Sequence, residues 1–577
     1  MTVKTQQTVA NWGSGPIADL VQLRLDKRIR QFIVDGESEP ICIFSEEMRM
    51  HSSSGDWYGE HAGKWLVTAS LAAERTGDTE LREQIQGVVA YLISQQEPVG
   101  YLGTYSPGYE GRFTNEGAER VRTWDLWVHA WLILGFLAAG RLGLPAANQA
   151  ATRLGDLIVT QFGSGERSVL DQGNHSGLSS AVILQPLAEL TQFTGDAKYA
   201  NLAELVLQQM EAADLCLLTG PKSQRDIATI GTGKAYQLCW VLAGLASLAG
   251  VTKRDDYLEA AEYWWQNISD AHLTPMGGPW GGVATHKEVF NPAGFFSPEG
   301  MVETCSVSSW MDFSFELYQL TGSAKYCRAA TTSLFNSLIG ALDQNGADWC
   351  YFTFPNGRRN NTYHWACCKS SGALALEQVR RFNSLSEKGN LSLNIWASCD
   401  LGDWRARVSE DWQTLTLEYQ GETRQASASI TLPEGYSRVS GDEVEPSDGV
   451  VTINREWRKG DSVTVSLEFA LKVHPHTFVV DHHGQEVVRK DYAYLSWGPF
   501  VYATGLIDGY KKVETMRLAR LTPEAPFHLT QRATSLGVPA IDFIQPGRQP
   551  ITFVPYFEAG GRHDGAWRAT WIQVAWQ

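Results

Sequence analysis

Five times in the first two-thirds of the chain a helix-patterned run breaks at a short turn built around glycine: "ERTGDTEL", "AAGRLGLP", "QFTGDAKY", "LAGVTKRDDY" and "QLTGSAKY". The turns centre on Gly77, Gly140, Gly195, Gly250 and Gly322, at intervals of roughly 55 to 70 residues, enough for two helices and two loops. Glycine takes the left-handed position that ends one helix, and the Asp or Ser after it can cap the next. A repeated helical hairpin cannot bury its apolar faces alone, so successive hairpins must stack into a larger body. Hairpins that place one helix inside and one outside close into an α/α toroid, and six of them complete the ring.

Six segments lead into the first helix of a hairpin: "GEHAGKW", "DLWVHAW", "GNHSGLS", "GTGKAYQ", "VETCSVS" and "HWACCKS". Each is polar for the start of an apolar helix. Together they bring His61, His129, His175, Lys234, Glu303, Cys305 and Cys367 to one face of a closed ring. Cys367 and Cys368 are adjacent, and Glu303-Thr-Cys305 opens the helix before them. Neighbouring hairpins let all four groups meet, and three thiolates with one carboxylate suit tetrahedral zinc. The remaining cysteines, Cys42, Cys216, Cys239, Cys327, Cys350 and Cys399, lack such a setting and read as ordinary thiols. Nine cysteines, an odd number, do not make a disulfide framework, and in a reducing compartment clustered thiols read as ligands or nucleophiles.

Beyond about residue 385 the period changes from helical to alternating. "LTLEYQG", "ASASITL", "GVVTINREW" and "DSVTVSLEFAL" alternate apolar and polar residues between Gly, Pro and Asp, the pattern of a β-sandwich. "RKGD" before a strand reads as a hairpin turn. The expected organisation is a multidomain α and β protein: an N-terminal (α/α)6 barrel over 1–385, a β-sandwich over 386–475 and a second sandwich-like unit over 476–577. The last unit is expected to begin near "AYLSWGPFVYATG". A formal charge of −16 lacks the basic footprint that nucleic acid needs. No run of 18 or more apolar residues is seen, and the first residues lack a signal-peptide core, so a cytoplasmic chain without a membrane span is expected.

The residues also resemble glycoside hydrolase family 127, the retaining β-L-arabinofuranosidase family. "GDWYGEHAGKWL", "QQEPVGYLGTY", "WDLWVHAWLILG", "HSGLSSAVILQPLAELTQFTGD", "KEVF", "ETC" and "CC" occur in family order, followed by "REWRKGD" and "WGPFVYA". The resemblance implies Zn2+ held by Glu303, Cys305, Cys367 and Cys368, with Cys367 as nucleophile and Glu288 as general acid/base. It implies substrate-binding roles for His129 and His175, and for Tyr351 a place near the nucleophile. His61 is read as equally a scaffold residue. A glycosidase of the common type uses two carboxylates, and here a thiolate would replace one of them.

The chain departs from the family pattern at Lys234, where a substrate-binding histidine is expected, and at "CCKSSGALAL", where a proline-rich turn is expected. A lysine is a point charge with three donors, so Lys234 is read as a substrate contact that favours an acidic sugar. The leading expectation is a retaining exo-glycosidase acting on terminal β-L-arabinofuranosyl or related, acidic sugars of plant-type glycans. A uronate-specific hydrolase or lyase on the same toroid is the alternative enzyme, and a non-catalytic sugar-binding protein with structural zinc the alternative outside catalysis. The expected partner is an oligosaccharide or glycoside, with a homodimer left open.

Overall fold

The computed structural model describes residues 8–49, 56–282, 287–343, 345–362, 366–441, 444–483, 485–505, 527–534, 536–544, 550–561 and 565–574. Six inner helices follow the six polar lead-ins: Glu60–Thr76, Asp125–Arg141, Leu184–Thr194, Ala235–Thr252, Thr304–Thr321 and Cys367–Gln378. Each packs on the next, and the sixth packs back on the first, which closes the ring. The outer helices are Pro16–Arg24, Thr79–Gln95, Pro145–Phe162, Ala197–Ala212, Asp255–Ala271 and Ala324–Thr332. The chain thus forms the expected (α/α)6 barrel, with the starts of all inner helices on one face.

Three of the five turns are built as their residues dictate. Gly77, Gly195 and Gly322 end their helices at φ 69, 73 and 69°. Asp78 then accepts the Leu81 N–H and Asp196 the Lys198 N–H, each at 3.0 Å, whereas Ser323 makes no side-chain cap. The other two turns fall later than expected. The second inner helix continues through Gly140, and Gly143 (φ 90°) turns the chain ahead of Pro145. A Cβ on Gly140 would meet the Asn148 side-chain amide, which would have to turn away. The fourth inner helix likewise runs past Gly250, and Lys253 takes the left-handed position at φ 58°.

That fourth helix corrects the expectation that nothing in the chain is apolar enough to span a membrane. Ala235–Thr252 passes by length and composition, with a mean hydropathy of 1.4. Yet 83% of it is buried inside the protein, as an inner barrel helix must be.

The sheets follow the barrel but do not begin after it. Thr8–Val9 and Asn11–Trp12, within the expected first unit, pair with Ser384–Leu385 and Cys399–Leu401. They add one edge to each of two six-stranded sheets, whose inner faces pack Trp404, Tyr419 and Trp457. The alternation seen in the sequence is the burial alternation of these strands, as in Thr414–Tyr419 and Ser462–Phe469. "RKGD" is not a hairpin turn. Val450–Trp457 and Ser462–Phe469 lie in different sheets, so the turn at Gly460 carries the chain across the sandwich. A third, seven-stranded sheet opens with Leu471–His482 paired to Gln485–Trp497. Before Ile572–Val574 joins that sheet, the chain returns to the barrel: Trp567–Ala569 pairs with Asn356–Arg358 in a separate two-stranded sheet, and Asn356 Oδ1 accepts the N–H groups of Thr570 and Trp571 at 2.9 Å.

The first and second inner helices cross at two glycines, Gly63 and Gly135. A Cβ at Gly63 would come within 2.3 Å of the Trp131 backbone, and backbone cannot rotate away. Gly63→Ala is therefore expected to destabilise the protein by about 3 kcal/mol, the upper range of overpacking. Gly87→Ala serves as the control. It lies on an outer helix where a Cβ meets nothing within 4 Å, so the thermal midpoint should hold or rise.

Candidate active site and metal centre

Cys367 and Cys368 are the first two residues of the sixth inner helix, after Ala366 in extended conformation. The unpaired N–H groups and positive dipole end of a helix start favour a thiolate there. On the neighbouring helix, Glu303 is the N-cap and Cys305 the second residue. Glu303 is held in place from both sides. Its strand Val302–Glu303 pairs with Phe352–Thr353, and the Thr304 N–H donates to the Tyr351 carbonyl at 3.1 Å.

The four ligand atoms of Glu303, Cys305, Cys367 and Cys368 lie within 4.8 Å of one another. Cys305 Sγ is 3.1 Å and Cys367 Sγ 4.0 Å from Cys368 Sγ. A tetrahedral centre with Zn–S near 2.3 Å needs ligand atoms about 3.8 Å apart, so the donor set and its spacing fit such an ion. Cys305 and Cys368 are fully buried, and Cys367 is the more open thiol at 9% exposure. Hydrogen bonds from Cys305 and Cys368, with Lys64 and Lys234 nearby, push the Cys367 thiol well below its ordinary range. Burial drives Cys305 and Cys368 the opposite way. Glu303 is raised to about 7 by burial, against the pull of Lys234.

Two buried lysines flank this cluster. Lys234, directly before the fourth inner helix, places Nζ 3.3 Å from Glu288 Oε2 and 3.5 Å from Glu303 Oε2. The backbone stitches Glu288 to the same place: Ala235 N–H donates to the Glu288 carbonyl and Phe290 N–H to the Gly233 carbonyl. Lys64 is fully buried, 3.1 Å from Glu60 Oε1, and donates to Ser371 Oγ at 3.0 Å. Trp127 Nε1 donates to the other Glu60 oxygen. Burial raises Glu60 to about 7, against the attraction of Lys64.

Of the residues singled out in the sequence, Glu288, Glu303, Cys305, Cys367, Cys368 and Lys234 come together. Tyr351 joins them, because burial and the adjoining Cys367 and Glu303 push its phenol upward and keep it a donor. His175 faces Lys234 and Glu288, whose charges act on it, and burial lowers its pKa so that the ring is neutral. It sits half-buried in a left-handed run with Ser176 and Gly177 (φ 55, 61 and 84°). Two non-glycine residues in that region cost about 1 kcal/mol or more each, a strain often found at functional sites. The Trp124 ring lies 6.1 Å from His175.

His129 does not join them. It is fully buried between Tyr101 and Phe113, with Nδ1 bonded to the Asp125 carbonyl at 2.8 Å and Nε2 accepting the Leu102 N–H at 3.4 Å. Both ring nitrogens serve the core, which corrects the expectation of a sugar contact. His61 is also scaffold: it is buried, and Nδ1 meets Ser370 Oγ at 2.7 Å. Sequence reasoning missed Glu60 and Lys64 altogether. The available signal was a charged i,i+4 pair at the start of an otherwise apolar helix. Their partners explain the departure at "CCKSSG", where Ser370 and Ser371 receive His61 and Lys64.

The toroid that gathers three thiols and a carboxylate at the starts of two neighbouring inner helices is that of a glycoside hydrolase. The chain belongs to the family described as Beta-L-arabinofuranosidase, GH127 catalytic domain, whose model matches residues 14–381. Its fold is similar to that of a GH127 beta-arabinofuranosidase (18% identity, TM-score 0.77), over 99% of this chain and 98% of that one. It is also similar to a GH127 beta-L-arabinofuranosidase from Geobacillus stearothermophilus T6 (17% identity, TM-score 0.75), over 98% of this chain and all 100% of that one. A third structure, described as a glycoside hydrolase, matches at 15% identity and TM-score 0.68, over 99% and 97% of the two chains. No curated protein matches the sequence.

Two outcomes follow from this geometry. At pH 7 the metal-free protein carries protons on Cys305 and Cys368, which burial raises, and on part of the Glu303 population. Zinc binding should therefore release about two to three protons, read from calorimetry in buffers of different ionisation heat. Lys64→Met leaves Glu60 buried and unpaired, so it should cost about 3 kcal/mol or more in a thermal or urea melt.

Proposed function

We propose that the protein is a retaining exo-glycosidase that removes terminal β-L-arabinofuranosyl groups from plant-type glycans. Cys367 is the nucleophile and Glu288 the acid/base. The observation that carries this reading is the shared ammonium of Lys234, which joins Glu288 to the metal-ligand carboxylate Glu303. A proton-transfer carboxylate and a thiolate are thereby held at one site, the pairing a double displacement needs.

In the first step Glu288 donates a proton to the leaving oxygen as Cys367 Sγ bonds to the anomeric carbon and the C–O bond breaks. In the second, Glu288 takes a proton from water, the water oxygen bonds to the anomeric carbon, and Sγ leaves with the C–S electron pair. Two inversions give net retention. The residues that would hold zinc are Glu303, Cys305, Cys367 and Cys368, and the chemistry the ion supplies when bound is to keep Cys367 deprotonated at neutral pH. Tyr351 offers a phenol donor beside the thiolate, and His175 a neutral imidazole for sugar hydroxyls.

Lys234 favours a neutral sugar over an acidic one. Its charge is already met by two carboxylates, and a substrate carboxylate placed there would face both. A cytoplasmic location belongs to the same proposal, since thiolate ligands persist where thiols are kept reduced.

The roles separate on an aryl β-L-arabinofuranoside, whose leaving group needs little protonation. Glu288→Gln should then give a burst of about one phenol per chain followed by slow turnover, because the second step still needs a base. Cys367→Ser should give no burst, and mass spectrometry of the Glu288→Gln protein should find the sugar on a peptide containing Cys367. A burst from Cys367→Ser would refute the assignment.

A further inference from the structure

At the far end of the barrel from the thiols, where the inner helices finish, the axis opens into a second cavity of about 690 Å³. That volume is in the range of small-molecule sites. Its floor is aromatic: Trp131 and Trp240 lie with ring centroids 4.3 Å apart, beside Tyr236. Its walls carry Gln185, Asp312 and Glu316, and Arg381 stands among them. Phe193, 51% exposed, forms part of the rim. One layer of side chains separates this space from the metal centre. Lys64 Nζ, which serves the thiol side, is 5.0 Å from the Trp131 ring and 5.2 Å from the Tyr236 ring.

The polar groups of the cavity are built, and Asp312 among them is only partly satisfied. The Trp240 indole donates to Gln185 Oε1, and Gln185 Nε2 donates to Asp312 Oδ2 at 2.9 Å. Among the described residues the second oxygen of Asp312 has only long approaches, from Gln378 Nε2 at 3.4 Å and Arg381 Nη1 at 4.0 Å. Glu316 accepts from Ser247 at 2.8 Å and from Gln319 at 3.4 Å. Burial beside Glu316 lifts Asp312 to about 6. The Trp131 indole N–H is turned away from solvent, so Trp131 offers the cavity its ring. Asp312 takes a further donor. A cation supplies a donor but no apolar face for the aromatic floor, and an anion would meet four carboxylates, Glu74, Glu189, Asp312 and Glu316, against two guanidiniums, Arg141 and Arg381. A sugar supplies both a hydroxyl donor and a C–H face that suits an aromatic floor.

We propose that this rear cavity is a second carbohydrate site, separate from the catalytic one, that takes a neutral mono- or disaccharide. Trp131 and Trp240 form its stacking floor, and Asp312, Glu316 and Arg381 bond the ring hydroxyls.

The test titrates the zinc-loaded full chain with L-arabinose, D-galactose and cellobiose, and with spermidine and D-glucuronate as opposing probes, by calorimetry and tryptophan fluorescence. At least one neutral sugar should bind at a site that Asp312→Ala weakens by about tenfold or more, and that Trp131→Phe weakens too. Both variants should keep hydrolysis of an aryl β-L-arabinofuranoside within about twofold when no other sugar is present, which shows that they fold. Asp312→Asn, which keeps a carbonyl acceptor, should retain part of the affinity. If binding of every neutral sugar is the same in wild type and Asp312→Ala, the proposal is wrong. Spermidine or glucuronate binding there in place of sugar also overturns it. Hydrolysis is read independently, so failure of the rear site does not touch the assignment of Cys367 and Glu288, and the converse holds.

Discussion

Two buried ammonium groups hold the centre of this enzyme together. Lys64 and Lys234 stand among Glu60, Glu288, Glu303 and the Cys367 thiolate, all withdrawn from water. Charges of one sign at that density would repel one another strongly in a medium of low dielectric. Each lysine instead ties structural elements together, Lys64 two and Lys234 three. Lys64 joins the first inner helix to the sixth through Ser371, where the ring closes. Lys234 joins the start of the fourth to the lead-in of the fifth and to the segment carrying Glu288. The fifth and sixth inner helices hold the four ligands between them, and ring closure brings Lys64 and Glu60 of the first helix up to them.

Much of this was legible in the residues, for a physical reason. A helix start needs polar partners for its free N–H groups, so a polar lead-in to an apolar helix stands out, and six of them in register mark a ring. The glycine turns were legible in number but not always in place. Gly140 and Gly250 lie inside their helices, and the left-handed turns are made three residues later by Gly143 and Lys253, which composition alone does not distinguish. Glu60 and Lys64 stayed hidden because an i,i+4 pair of opposite charges usually lies on a solvated face. His129 has the opposite character: a polar residue in a lead-in that turns into the core and bonds its own helix. Lys234 was recognised by position, but its meaning depended on Glu288 and Glu303, which lie 54 and 69 residues further on.

The β region shows how far local pattern reaches. Period-two alternation identified the strands and which faces are buried. It did not say which strand pairs with which, so the turn at Gly460 looked like a hairpin although its flanking strands belong to opposite sheets. The segment just before the third sheet's last strand braces the site from outside: Trp567–Ala569 and the two residues after it hold the segment around Asn356, which leads into the cysteine helix.

The pairing of Thr8–Val9 with Ser384–Leu385 also bears on how the molecule comes into being. A ribosome releases the first strand long before its partner exists, and the barrel helices must be made in between. Those opening residues then wait, with unsatisfied backbone groups, for strands more than three hundred positions later. Barrel and sandwich are thus one assembly in time as well as in space. Their joining depends on strand pairs of very long sequence separation, a kind of contact that forms slowly.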